Sequence, residues 1–248
     1  AKILNGAKSI FVANVKGGVG KSTLSIMLAR SLAERIPPQN ITVIDTDLQR
    51  TSTEFLSKSN PEINVEFLPI TPAFENTNIS LVQQFIKQNE FRPGHVAIVD
   101  TPAGSSQRLW NLVAEGYCVL IPTTLSNADL YPTENFIRSM DKVKARYGKS
   151  YPHLIVCPNK IPFGQKDFSL MAERLKNHDV VIGPALRDLA SVRHFYNGKV
   201  ENWENKTNTN AQYDFKQFGS FIEKFVLGEE LDKIYSENNA PKNVVPIR

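Results

Sequence analysis

Hydrophobic positions follow two regimes along this chain: short apolar runs rich in β-branched residues, and longer stretches in which apolar residues return at helical spacing. The short runs predict strands at 9–15, 41–45, 64–69, 95–100, 117–121, 153–157 and 180–183. The helical spacing predicts helices at 21–35, 50–58, 78–89, 106–114, 129–147, 165–177, 186–196 and 212–227. Strand and helix alternate with short connections, and Pro37 and Pro38 end the first helix just before the second strand. That order implies an α/β fold: one mostly parallel, twisted sheet of about seven or eight strands with helices on both faces. No repeat or domain-sized linker interrupts it, so 1–248 reads as a single domain, with a polar loop at 201–210 and a weakly ordered tail at 236–248.

Composition narrows the class. At 248 residues, 41% hydrophobic and 22% charged, the chain is large enough for one proper core and ordinary for a soluble protein. No window approaches the roughly 20 apolar residues of a membrane span, and residues 1–9 have no apolar core of signal-peptide length. Cys118 and Cys157 fall inside predicted strands without metal-type spacing, which suits small buried hydrophobes in a reducing compartment. The expected location is cytoplasmic. A formal net charge of +4 is too mild to imply a nucleic-acid partner by itself.

Chemistry is concentrated at residues 12–23, VANVKGGVGKST, between the first predicted strand and the first predicted helix. Gly17, Gly18 and Gly20 remove side chains so that backbone N–H groups can converge on an anion, and the helix adds its positive N-terminal dipole. In such a phosphate loop (P-loop) Lys21 reaches the β- and γ-phosphates and the Ser22 hydroxyl ligates Mg²⁺. Val15 stands where the general pattern has glycine, and a second lysine, Lys16, precedes the double glycine and can reach outward. VIDTD places Asp45 at the end of the second strand and Asp47 two residues on, and HVAIVDTPAG runs into Asp100, with Gly104 opening the next loop. Asp45 and Asp47 could also simply start a loop and cap the following helix.

KGGVGKST, Asp45–Asp47 and DTPAG resemble, in order, the deviant-Walker ATPases of the ParA/MinD superfamily of P-loop NTPases, and the first motif is closest to the ParA partition branch. The resemblance covers about 8–200. It implies ATP and Mg²⁺ as ligands, with Lys16, Gly17, Gly18, Val19, Gly20, Lys21, Ser22 and Thr23 holding the nucleotide. It assigns Asp47 to the attacking water, Ser22, Asp45 and Asp100 to hydrated magnesium, Lys16 to a nucleotide on a facing subunit, and Asn159, at the end of the sixth strand, to the adenine edge. Asn159 equally suits a turn before Ile161 and Pro162. Leu48 replaces the proline usual after the second aspartate. The function implied is slow, partner-stimulated ATP hydrolysis to ADP and phosphate by an ATP-dependent homodimer, nucleoid-associated through nonspecific double-stranded DNA. With a ParB-like protein or cargo adaptor it would segregate a plasmid, chromosome or other cargo.

Two groups of basic residues could serve that DNA contact: Arg138, Lys142, Lys144, Arg146 and Lys149 on or after one helix, and Arg187, Arg193, His194 and Lys199 further on. Each also reads as an ordinary solvated face. Phe215, Phe218, Phe221 or Ile222, and Phe225 line one helical face; with few cations and nearby Glu223, Glu229 and Glu230, this reads as a closing helix packed on the sheet, so no membrane is expected. Alternatives are a MinD-like membrane-cycling regulator and a small-molecule P-loop enzyme; Val15 and Lys16 speak against them.

Overall fold

In the computed structural model, which describes residues 7–89, 92–104, 106–147, 152–188 and 209–228, seven strands form one sheet in the order β3-β2-β4-β1-β5-β6-β7. The strands are β1 (Lys8–Val12), β2 (Ile41–Asp45), β3 (Asn64–Phe67), β4 (Val96–Asp100), β5 (Cys118–Thr123), β6 (His153–Pro158) and β7 (Val180–Ile182). Every pairing is parallel. The helices are α1 (Lys21–Ala33), α2 (Thr51–Ser59), α3 (Glu75–Asn89), α4 (Gln107–Val113), α5 (Asn127–Tyr147), α6 (Ser169–Leu175) and α7 (Thr209–Phe221), the last continuing as a π-helical turn over Ile222–Leu227.

Alternation along each strand splits the core in two. Ile10 and Val12 of β1 face the same side as Val43, Ile98, Leu120 and Ile155, and there they meet Leu24 and Leu28 of α1, Phe55 of α2 and Phe218 of α7. Phe11, with Ile44, Val99, Val119 and Val156, faces the other side, against Val82 of α3, Leu112 of α4, Ile137 of α5 and Met171 of α6. Both faces of a parallel sheet are therefore covered. The phenylalanine stripe of 212–227 belongs to this core: Phe218 and Ile222 are fully buried and Phe221 and Phe225 nearly so. Cys118 and Cys157 are buried thiols, and burial pushes the Cys118 thiol up to about 12 and the Cys157 thiol higher still.

Several element boundaries shift, and three of the shifts have a visible local cause. The first strand stops at Val12 rather than 15, because the chain turns there into the P-loop. The helix expected from 165 begins at Ser169, where the Asp167 carboxylate accepts the Ser169 N–H at 2.9 Å. The helix expected over 186–196 does not begin at 186: Arg187 instead forms a parallel bridge with Ile161, with Ile161 N–H donating to Leu186 O at 3.0 Å and Asp188 N–H to Ile161 O at 2.8 Å. The remainder of that segment, Arg193, His194, Lys199, Lys149, the loop at 201–208 and the tail at 236–248 lie outside the described residues.

Candidate functional site

Adjacent strands bring the carboxylates together. In register, Val12 sits opposite Asp100 and Asp45 opposite Asp100, so the ends of β1, β4 and β2 meet at one edge of the sheet, the carboxyl edge where open α/β sheets bind ligands. The P-loop leaves β1 at that edge. Gly18 (φ 78°) and Gly20 (φ 95°) hold left-handed backbone that other residues resist, and a Cβ at Gly20 would also overlap the Asn159 amide. Gly20 is the N-cap of α1 and offers no side-chain cap; the first intrahelical bond is Leu24 N–H to Gly20 O at 3.0 Å. The N–H groups of the first turn thus have no intrahelical acceptor and face the loop mouth. Gly17 and Gly18 are exposed.

Lys21 is buried at this mouth, where its ammonium donates to Lys16 O at 3.0 Å. Burial lowers its pKa, and the charges of Asp100 and Asp47 counteract that. Asp100 is fully buried. Its Oδ2 accepts the Ser52 hydroxyl at 2.9 Å, while Oδ1 has no hydrogen-bond donor on it. Burial and then the neighbouring Asp45 push its carboxyl up to about 7; the Ser52, Ser22 and Ser25 hydroxyls offset part of this. A dehydrated carboxylate oxygen beside the Ser22 hydroxyl, two hard oxygen donors, fits a magnesium ion or its water shell. Asp45 is more fully engaged: Oδ2 accepts both the N–H and the hydroxyl of Thr53 at 2.9 Å, and Oδ1 accepts the Asp47 N–H at 3.1 Å. It therefore caps the first turn of α2, which leaves Asp100 as the carboxylate with an open oxygen. Asp47 accepts the Gln49 N–H at 3.0 Å and is followed by Leu48, which is 62% exposed.

Lys16 turns away from its own loop. Its ammonium lies 3.8 Å from Asp129 of α5, with the side chain 41% exposed. Asn14 anchors the loop from behind: its amide donates to Pro122 O at 2.9 Å and Thr133 Oγ1 at 2.8 Å, and its Oδ1 accepts the Lys16 N–H at 3.2 Å. On the far side the Asn159 amide donates to Val19 O at 2.9 Å, and Lys160 donates to Gly18 O at 2.7 Å. Asn14, Ser52, Thr53, Asp129 and Lys160 carry no role in the sequence reading. The hydroxyl pair at 52–53 just past Asp45 and the cation beside Asn159 were the signals available for three of them; Asn14 and Asp129 became visible only through contacts across the sheet.

The basic residues separate. Arg138, Lys142 and Arg146 are exposed on α5, Arg138 in an ion pair with Glu134 at 2.8 Å. Lys144 points inward, only 9% exposed and 3.8 Å from Asp179, and burial lowers its pKa. Arg187 is engaged with Asp214 of α7: Nη2 donates to Oδ1 at 2.6 Å, and Nε and the backbone N–H donate to Oδ2 at 3.0 Å. Neither Lys144 nor Arg187 is displayed as a free surface cation. No group of three or more His, Cys, Asp or Glu residues suited to a metal and no helix long and apolar enough to cross a membrane occurs among the described residues.

A family model described as the CobQ/CobB/MinD/ParA nucleotide binding domain matches residues 10–244. The protein ParA of Rhizobium radiobacter is 33% identical over 113 residues, 46% of this chain; the match spans about half of that relative, 47%. Among solved structures, an ATP complex of a Cyanothece McdA variant superposes with a TM-score of 0.66 at 14% identity, covering 88% of this chain and 96% of that one. The septum site-determining protein MinD of Pyrococcus horikoshii with Mg-ADP gives 0.65 at 17% identity, covering 89% and 97%. At these identities the structures establish a shared fold.

Proposed function

Because the chain belongs to the CobQ/CobB/MinD/ParA nucleotide-binding family, we propose that it is a ParA-type ATPase that binds ATP with Mg²⁺, dimerises on it and hydrolyses it slowly to drive partition or positioning of a cargo. The observation carrying this reading is the convergence at one sheet edge of a glycine loop, a buried Lys21 whose charge Asp100 and Asp47 favour, and a second lysine, Lys16, held outside the loop. Backbone N–H groups from Gly17 to Ser22 receive the phosphates, and Lys21 leaves Lys16 O to place its charge on the β/γ oxygens. Ser22 and Asp100 would hold magnesium, which would supply charge neutralisation on the phosphates. Asp47, held at the start of the loop by Asp45, orients the attacking water, and Lys16 reaches the nucleotide of a facing subunit. Nearly all of this is positioning and electrostatics, which suits a slow timer.

The track would be nonspecific duplex DNA, for which the exposed basic stripe of α5 offers a phosphate-contacting surface, and the stimulator a ParB-like partner, as the resemblance to the ParA branch implies. A MinD-like or McdA-like positioning cycle would use the same chemistry, and neighbours of both kinds share the fold. Burial of the α7 stripe in the core disfavours that stripe as a membrane contact. Calorimetry with Mg·ATP and light scattering test the reading. Wild-type protein binds and dimerises, whereas folded Lys21→Ala loses affinity by about 100-fold, the scale of a charge-assisted contact to phosphate. Near-normal affinity in that variant overturns the assignment, and liposome co-sedimentation with ATP but no DNA binding favours the membrane cycle.

A further inference from the structure

Two adjacent residues in the first turn of α2 grip the two carboxylates that end β2 and β4. The Ser52 hydroxyl donates to Asp100 Oδ2 at 2.9 Å, and the N–H and hydroxyl of Thr53 both donate to Asp45 Oδ2 at 2.9 Å. Ser52, Asp45 and Asp100 are fully buried. The Thr53 bonds serve the helix, because its N–H is one of the first-turn donors that a cap must satisfy. The Ser52 bond does not. It crosses from α2 to a strand end and engages one oxygen of one carboxylate.

A sharp turn brings Ser52 there. Arg50, just before α2, has φ 55° and ψ 25°, a left-handed backbone that a long side chain resists. Its surroundings hold it: its N–H donates to Asp47 O at 3.1 Å, its carbonyl accepts the Glu54 N–H at 2.9 Å, and its guanidinium lies 4.6 Å from the centroid of the Phe67 ring. The helix therefore starts directly after the loop, with residues 52 and 53 beside the strand ends. For Asp100 the consequence is orientation. A carboxylate turns readily about its last bond. The Ser22 and Ser25 hydroxyls lie near enough to favour its charge, and the Ser52 bond is the one with hydrogen-bond geometry. Holding Oδ2 fixes the carboxylate plane and leaves Oδ1 without a donor.

Resting on the reading above, in which the site takes ATP with Mg²⁺, we propose that Ser52 is a positioning residue for the cation: by holding Asp100 Oδ2 it presents Oδ1 to the magnesium that Ser22 and Asp100 would share. Ser52 acts through Asp100 alone. Magnesium demands near-ideal octahedral geometry, so a ligand oxygen free to swing binds it less well than one held in place. Removing a residue that orients a metal ligand typically lowers metal affinity by roughly 10–100-fold. Thr53 acts on Asp45 instead, whose Oδ1 accepts the Asp47 N–H at 3.1 Å, and so on the loop ascribed to the attacking water.

Calorimetry with ATP in Mg²⁺ and with ATP in EDTA separates the cation from the nucleotide. Wild-type protein binds ATP more tightly with Mg²⁺. Expected for Ser52→Ala is a fall of about tenfold in Mg·ATP affinity, with ATP in EDTA held within about twofold. Ser52→Thr, which keeps the hydroxyl, recovers most of that loss, and Thr53→Ala retains the advantage that Mg²⁺ gives. Unchanged Mg·ATP affinity in Ser52→Ala overturns the proposal. An equal fall with Mg²⁺ and with EDTA also overturns it, since that is what a merely structural role gives, and so does an equal loss of the Mg²⁺ advantage in Thr53→Ala. Should Ser52→Ala not fold, Ser52→Cys, of similar size with a weaker donor, is read in the same way. Wild-type protein that binds ATP equally with and without Mg²⁺ overturns the magnesium reading itself, and this inference with it.

Discussion

Among the described residues the Lys16 ammonium makes one weak contact. Asp129, oriented by the Thr124 hydroxyl at 2.6 Å, lies 3.8 Å from its ammonium, and with the lysine 41% exposed such a pair contributes about 1 kcal/mol at most. A nucleotide phosphate is a stronger anion than that carboxylate and can take the lysine from it. Lys16→Gln is therefore expected to melt within about 1 kcal/mol of wild type and to bind ATP as a monomer, since Lys21, Ser22 and the glycines are untouched. On the proposed reading, partner-stimulated hydrolysis and the ATP dimer are the properties expected to be lost. Turnover and sedimentation beside Lys21→Ala check this; equal loss of ATP binding in both variants refutes the cross-subunit role. The lysine itself was legible because it lies within a local motif, whereas its partner Asp129 was not, being brought to it from α5 by the packing of that helix on the sheet.

The helix α5 turns a cluster of basic residues into a defined face. Arg138, Lys142 and Arg146 recur every fourth residue and lie exposed, whereas Lys144 falls off that spacing and is buried against Asp179. Sequence reading grouped all four because charge density is visible along the chain and orientation is not. If this face tracks DNA, replacing Arg138, Lys142 and Arg146 together by Ala lowers the salt dependence of ATP-dependent duplex binding by roughly 0.9 per lost phosphate contact. Lys144→Ala changes stability more than binding. Filter binding across a salt series decides; an unchanged slope in the triple variant removes α5 from the interface.

Across the whole molecule, α7 is joined to the edge of the sheet by Arg187 and Asp214 as well as by its phenylalanines. The carboxylate is 8% exposed and takes three donors from Arg187, whose guanidinium also bonds Asn210. Asp214→Ala leaves that half-buried cation without its partner and is expected to cost about 2 kcal/mol, or a fall in Tm of about 4–8 °C, in thermal or denaturant melts. A change within error would mean that the apolar stripe alone holds α7. Much of this architecture was legible in the sequence. The seven strands, the P-loop and the carboxylates at the strand ends all follow from local periodicity and from motifs whose residues are neighbours along the chain. Tertiary structure decided the rest: that Asp45 caps α2 while Asp100 keeps an open oxygen, that Lys144 and Arg187 are engaged within the fold, and that Lys160 reaches the P-loop. Each of these depends on which side chains a parallel register and two layers of helices bring together, and distance along the chain carries no record of that.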